Sequence, residues 1–206
     1  MIPEGFAADL NRKPEVLGRL ADTLADRNPW TGVVPAGTER VVLLGMGSSA
    51  YAGGVVAARM RAHGLMAVSE LAASGLLPDW GPGTVVVATS ASGGSAETLD
   101  ALDRLPAGAF TIALTNTAGS AIAERCSAVV DLAAEPEVGG VACRSYQHTL
   151  ALLLALECHL LGAGTAALAR VGRGVVRHRL QPVPGCLCTG AGRRQWRGCT
   201  RHPHRG

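Results

Sequence analysis

The chain is poor in aromatic residues, has a single lysine, Lys13, and contains no long apolar run. Trp, Tyr and Phe make up 3% of its 206 residues against 48% hydrophobic residues overall, so the core has to be built from Ala, Val and Leu. At this length about 70% of the unfolded chain's surface can be buried, enough for a core without disulfides or metal. One domain, or one domain with an appendage, is expected. No stretch reaches the roughly 18 apolar residues of a membrane span; the run around Thr149–Leu156 is interrupted by Glu157 and His159. Met1-Ile2-Pro3-Glu4 has neither the basic region nor the apolar stretch of a signal peptide. A cytoplasmic location is expected by default.

Acid is missing from one part of the chain. All 16 acidic residues lie in 1–170 with 11 of the 19 basic ones, a net charge of −5; residues 171–206 hold the other eight, all Arg, and no acid. So abrupt a change of character marks two pieces.

What is present in the first piece is an alternation of apolar runs and helical patterns. Residues 4–28 carry an apolar stripe of Phe6, Leu10, Val16, Leu17, Leu20 and Leu24, with Pro14 expected to start the main helical segment. Residues 29–38 form a Pro/Gly linker. Strands are expected at Val41–Leu44, Met66–Ser69, Val85–Ala88, Phe110–Leu114 and Ala128–Leu132. Helices are expected after the Gly45–Ala50 turn to about His63 with Gly64 as cap, after the Ser90–Ser95 loop, near Ala121–Arg125, and from Ser145 to about Leu161 ahead of Gly162. Strands alternating with helices make a parallel sheet covered on both faces, a three-layer α/β/α sandwich with five parallel strands. In such sheets ligands sit at the carboxyl ends of the strands. There is no internal repeat.

The stretch Thr89-Ser90-Ala91-Ser92-Gly93-Gly94-Ser95-Ala96-Glu97-Thr98 joins a buried strand to a helix with Leu99, Leu102 and Leu105 on one face. Free N–H groups and the positive end of the helix dipole favour an anion there. Ser90, Ser92 and Ser95 add hydroxyl donors, and Gly93-Gly94 permits close backbone approach. A phosphate is the expected ligand. Gly45-Met46-Gly47-Ser48-Ser49-Ala50 after the first strand, with Glu70 further on, is a weak dinucleotide fingerprint, because any tight strand-to-helix turn favours glycine.

Taken together, Gly47-Ser48-Ser49, Ser90–Ser95 and Glu135-Pro136-Glu137-Val138-Gly139-Gly140-Val141-Ala142-Cys143-Arg144-Ser145 are more informative. In order and spacing, over about residues 5–165, they resemble the SIS (sugar isomerase) fold family, and within it the isomerase half of the glucosamine-6-phosphate synthases. The resemblance implies a flavodoxin-like fold that binds a sugar phosphate. It implies contacts from Ser49 and from Ser90, Ser92, Gly93 and Ser95, with Ser48 and Val141 alongside. Ser48 alone reads better as a turn residue. Ala91 stands where the synthases have glutamine, Gly94 replaces a glutamate, and Arg144 stands near a family lysine, so the sugar contacts are expected to differ. No residue matches the family's catalytic groups, which belong mainly to a second SIS repeat, a C-terminal tail and a neighbouring subunit. Binding is expected; isomerisation by this chain alone is not. His63 and His159 read as helix-surface groups, Cys126 and Cys158 as packing residues, and His148 as non-catalytic.

After about Ala169 the periodicity is lost. The expected division is 1–38, a helical segment and linker; 39–168, the SIS domain; and 169–206, an irregular Arg-rich tail. Cys186, Cys188, Cys199, His202 and His204 match no common zinc spacing. An Arg-rich nucleic-acid arm would have Trp196 as its only aromatic. The composition fits an out-of-frame reading of GC-rich DNA that replaces a second SIS repeat. The expectation is therefore a phosphosugar-binding domain derived from an isomerase or deglycase, pairing with a second copy of itself. Neither cofactor, metal, membrane nor nucleic acid is expected. A non-catalytic phosphosugar sensor or decayed fragment is the alternative, ahead of a nicotinamide-binding protein.

Overall fold

Short apolar runs separated by helical patterns give one parallel sheet, as the computed structural model, which describes residues 4–106 and 108–179, makes explicit. The strands are β1 (Arg40–Gly45), β2 (Met66–Leu71), β3 (Thr84–Thr89), β4 (Phe110–Thr115) and β5 (Ala128–Asp131). The helices are α1 (Glu4–Asp26), α2 (Gly47–Ala62), α3 (Ala96–Asp103), α4 (Ala121–Arg125), α5 (Arg144–Leu160) and α6 (Ala166–Arg179). All strand pairs are parallel, in the order β2-β1-β3-β4-β5.

Side chains alternate across the sheet, and the two faces have separate cores. Val41, Leu43, Val85, Val87, Ile112 and Leu114 pack with α1, α2, α5 and Ala169 of α6. Val42, Leu44, Val86, Ala88 and Ala113 pack with α3 and Ile122 of α4. The central strands are apolar at nearly every position because both faces are covered. Trp30, fully buried, donates its indole N–H to Leu152 O at 2.7 Å, so the Pro/Gly linker is fastened into the core.

Two expectations about the ends are corrected. Pro14 does not start the first helix but lies inside it. The turns before Pro14 are held by tertiary contacts that local propensity does not register: Asp9 is buried and receives N–H groups from Val138 and Gly139. Nor does regular structure end near Ala169, since α6 crosses that boundary. Thr165 Oγ1 donates to Leu24 O at 2.5 Å, and a side chain at Gly172 would come within 3.0 Å of Ala21. Arg173 pairs with Asp22 at 3.3 Å. Packing against α1 makes this helix despite its two glycines. No helix among the described residues is long and apolar enough to cross a membrane.

Candidate phosphosugar cleft

The carboxyl ends of the inner strands stand level. Gly45 pairs with Thr89 across β1 and β3, Thr89 with Leu114 across β3 and β4, and Thr115 with Asp131 across β4 and β5. Chain growth reverses between β1 and β3, the position at which such sheets open a crevice. The loops after β1, β3, β4 and β5 all emerge on this rim.

The β3–α3 loop is tightly built. Ser90 N–H continues the ladder to Leu114 O at 3.1 Å, and the buried Ser90 hydroxyl accepts from Ser95 N at 3.4 Å. Ser95 caps α3, its Oγ accepting from Thr98 N at 3.4 Å and from Thr98 Oγ1 at 3.0 Å. Ser92 is exposed, and its Oγ accepts from Gly94 N at 3.4 Å. The N–H groups of Ala96 and Glu97 open the helix, where the helical pattern supplies no acceptor. Gly93 has a different task from close approach to a ligand. It is buried at φ +70°, and a Cβ there would overlap Ser120. Its N–H is bonded to Ser90 O at 3.0 Å and its carbonyl accepts from Ile122 N at 3.1 Å, so it clamps the loop onto the start of α4.

The opposite wall is the irregular segment between β5 and α5. Ala133 and Glu135 both have left-handed backbones, at φ +53° and +58°, a conformation that persists only where the surroundings enforce it. Here Ala133 N–H bonds Asp131 Oδ1 at 2.8 Å and Ala134 N–H bonds Asn116 Oδ1 at 2.9 Å. The Glu135 carboxylate pairs with Arg12, Arg19 and Arg144. Glu137 turns back onto the start of α5. Its Oε1 accepts from Cys143 N at 2.8 Å and Arg144 N at 2.6 Å, while Oε2 accepts from Ser145 N at 3.3 Å and from the Ser145 hydroxyl. Burial alone would raise the Glu137 carboxyl; the Ser145 hydroxyl, the Cys143 thiol and the two N–H groups outweigh it and hold it below its ordinary value. The Cys143 thiol is pushed up by burial and by the Glu137 charge.

Between these walls lies a cleft of about 560 Å³ whose lining includes Ala91, Ser92, Asn116, Thr117, Glu137, Val141 and Ser145. Of the residues expected from sequence, Ser92 and Val141 line it. Ser90, Gly93 and Ser95 form the scaffold beneath Ser92, and Ser48 and Ser49 stand apart in the first turn of α2. Among the described residues neither of their hydroxyls has a protein partner. Ser49 lies against Gly45, where a Cβ would come within 3.0 Å of Ser49 Cβ. Arg144 does not face the cleft: it is 1% exposed and bound to Asp9 and to Pro136 O. His148 is also buried. Its Nδ1 bonds Leu132 O at 3.0 Å, and burial, with Arg144 nearby, pulls the imidazole below its ordinary value. His63 is a surface group but not a free one, since its Nδ1 lies 2.7 Å from Oε1 of the buried Glu157, which Arg59 also binds. Asn116, Thr117 and Asp9 were missed by residue type. The signals available were the position of Asn116 at a strand's carboxyl end and the presence of an acid, Asp9, three residues after Phe6 on the stripe.

Among the described residues no group of three or more His, Cys, Asp or Glu side chains could hold a metal. Cys186, Cys188, Cys199, His202 and His204, and the Arg-rich run with Trp196, lie outside the described residues.

A family model described as SIS domain matches residues 36–157. The chain belongs to the SIS domain family. The glutamine–fructose-6-phosphate aminotransferase (isomerizing) of Halobacterium salinarum is 32% identical over 105 residues, 50% of this chain and 17% of that protein. Glucosamine-6-phosphate deaminase from Thermotoga maritima superposes with a TM-score of 0.63 at 18% identity, over 80% of this chain and 52% of that one. The Vibrio vulnificus NanR protein complexed with ManNAc-6P gives 0.58 at 19%, over 84% and 68%. At these identities the structural likenesses concern the SIS fold alone, and this SIS domain spans about half the length of the deaminase.

Proposed function

We propose that this SIS domain binds a phosphorylated sugar, an amino-sugar or ketose phosphate, with the phosphate at the β3–α3 loop and the sugar in the adjoining cleft. The observation that carries the reading is the exposed Ser92 hydroxyl, which lines a cleft with Asn116, Thr117 and Val141 and belongs to the loop that ends at the open N–H groups of Ala96 and Glu97. These donors suit a dianion without a lysine or arginine in contact. Ser49, with Ser48 alongside, is among the proposed sugar-phosphate contacts because the turn after β1 emerges on the same rim and their hydroxyls have no protein partner among the described residues. Pairing with a second copy is part of the proposal, supported by exposed Tyr51, Met66 and Leu71 on α2 and the edge strand β2; light scattering after size exclusion checks it.

A sensor without isomerase activity is the second reading, and Glu137 favours it. The carboxylate in the cleft lining is held by three N–H groups and a hydroxyl and stays ionised, tied to α5 rather than aimed at a carbon acid. Calorimetry with fructose 6-phosphate and glucosamine 6-phosphate tests binding. Following C2 proton exchange of the bound sugar with solvent separates a sensor from an isomerase.

A further inference from the structure

We propose that Asp9, on α1 and outside the cleft, is the positioning residue that sets the sugar-facing wall; this rests on the phosphosugar reading above. The wall residues Glu137, Gly140, Val141 and Ala142 belong to no helix or strand, so their placement depends on what anchors the segment. Its far end is anchored by Glu137 on the N-terminus of α5. Its near end is anchored by Asp9. The buried carboxylate accepts from Val138 N at 2.9 Å and from Gly139 N at 2.7 Å through Oδ2. Through Oδ1 it accepts from Arg144 Nη2 at 2.9 Å, and the same Nη2 donates to Pro136 O at 2.7 Å. The carboxylate thus fixes backbone after Glu137 directly, and backbone before it through the Arg144 guanidinium that it orients.

The steric fit at this point has the same purpose. Gly139 lies so close to Phe6, one turn before Asp9, that any side chain on it would overlap the helix backbone. Gly140 follows at φ +70° and turns the chain so that Val141 reaches the cleft. The phosphate loop is tied elsewhere, to β4 through Ser90 and to α4 through Gly93. Loosening Asp9 therefore leaves the phosphate contacts intact and unfixes the sugar contacts, which must then be ordered on binding at a loss of affinity.

The test compares wild type, Asp9→Asn and Gly139→Ala. Titration calorimetry uses fructose 6-phosphate and, separately, inorganic phosphate; amide hydrogen exchange is followed at Val138 and Gly139. The expected result for Asp9→Asn is a rise of at least tenfold in the Kd for the sugar phosphate, less than twofold for inorganic phosphate, and an acceleration of exchange at Val138 and Gly139 at least tenfold greater than any at the core amides of Val86 and Val87. Gly139→Ala, which leaves the ion pair's side chains untouched, is expected to give the same split in affinity. Equal losses for both ligands, or unchanged exchange at Val138 and Gly139 in Asp9→Asn, would overturn the inference. A wild-type protein that binds no sugar phosphate would instead overturn the functional reading, and the exchange rates alone would then decide whether Asp9 fixes the wall.

Discussion

Asp9 and Arg144, 135 residues apart in sequence, form an ion pair of 2.9 Å in which the side chains are 3% and 1% exposed. Breaking such a pair by removing one partner leaves a buried charge and costs about 3–5 kcal/mol, whereas replacing both with apolar residues costs far less. Asp9→Leu alone is therefore expected to destabilise by about that amount. Asp9→Leu combined with Arg144→Met should destabilise by less than the two single changes summed. Urea denaturation of the four proteins of this cycle measures the coupling.

Gly93 and Ser120 make a second pair whose relation is steric. Gly93→Ala places a methyl group on the Ser120 side chain and forces a left-handed backbone on alanine, a combined cost of about 2 kcal/mol or more. Ser120→Gly removes the overlap but not the backbone strain, so the double variant should recover part of the loss in a thermal melt. Ser95→Ala removes the α3 cap and should cost about 1 kcal/mol.

The strands and the Ser/Gly loop were legible because each sits in a locally consistent pattern. Val85–Ala88 is a buried run bounded by turn residues, and Ala121–Arg125 follows a serine at its start. What could not be read locally was what depends on a distant partner. Asp9 looks like a solvated helix residue until the 135–145 segment folds over it. Gly93 in the sequence suits either a close ligand or a close neighbour, and only Ser120 decides between them. Helix α6 contains Gly172 and Gly174, which weaken any helical signal, while Gly172 is the residue that lets α1 approach. The cleft was half-visible for the same reason: Ser92 and Val141 lie in motifs, but Asn116 and Thr117 follow β4 with no pattern beyond their place at a strand end.

Stability should fall with acidity in two steps. Folded His148 has a depressed pKa, so the unfolded chain takes up a proton first as pH drops through about 6.5, and stability declines from there down to the folded value. Folded Glu137 is depressed as well, so its contribution is present above the ordinary carboxyl range and is lost as pH falls below about 4.5 towards its folded value. Each group contributes a slope of at most about 1.4 kcal/mol per pH unit. Denaturant midpoints between pH 7.5 and 3.5 should show both steps. His148→Gln should remove the first and Glu137→Gln the second.

A sugar phosphate held by the β3–α3 loop and the cleft beside it must stabilise the folded chain, and a thermal melt with and without ligand measures this. A ligand at about 100 times its Kd stabilises by about 2.7 kcal/mol, a rise of about 5–11 °C for a chain of this size. Fructose 6-phosphate or glucosamine 6-phosphate is expected to produce such a rise in the wild-type protein. It should be absent in the Ser90→Ala/Ser92→Ala variant, whose unliganded fold should be retained. Stabilisation by NAD with none by either sugar phosphate, or an undiminished sugar-phosphate shift in the double variant, would contradict binding at that loop.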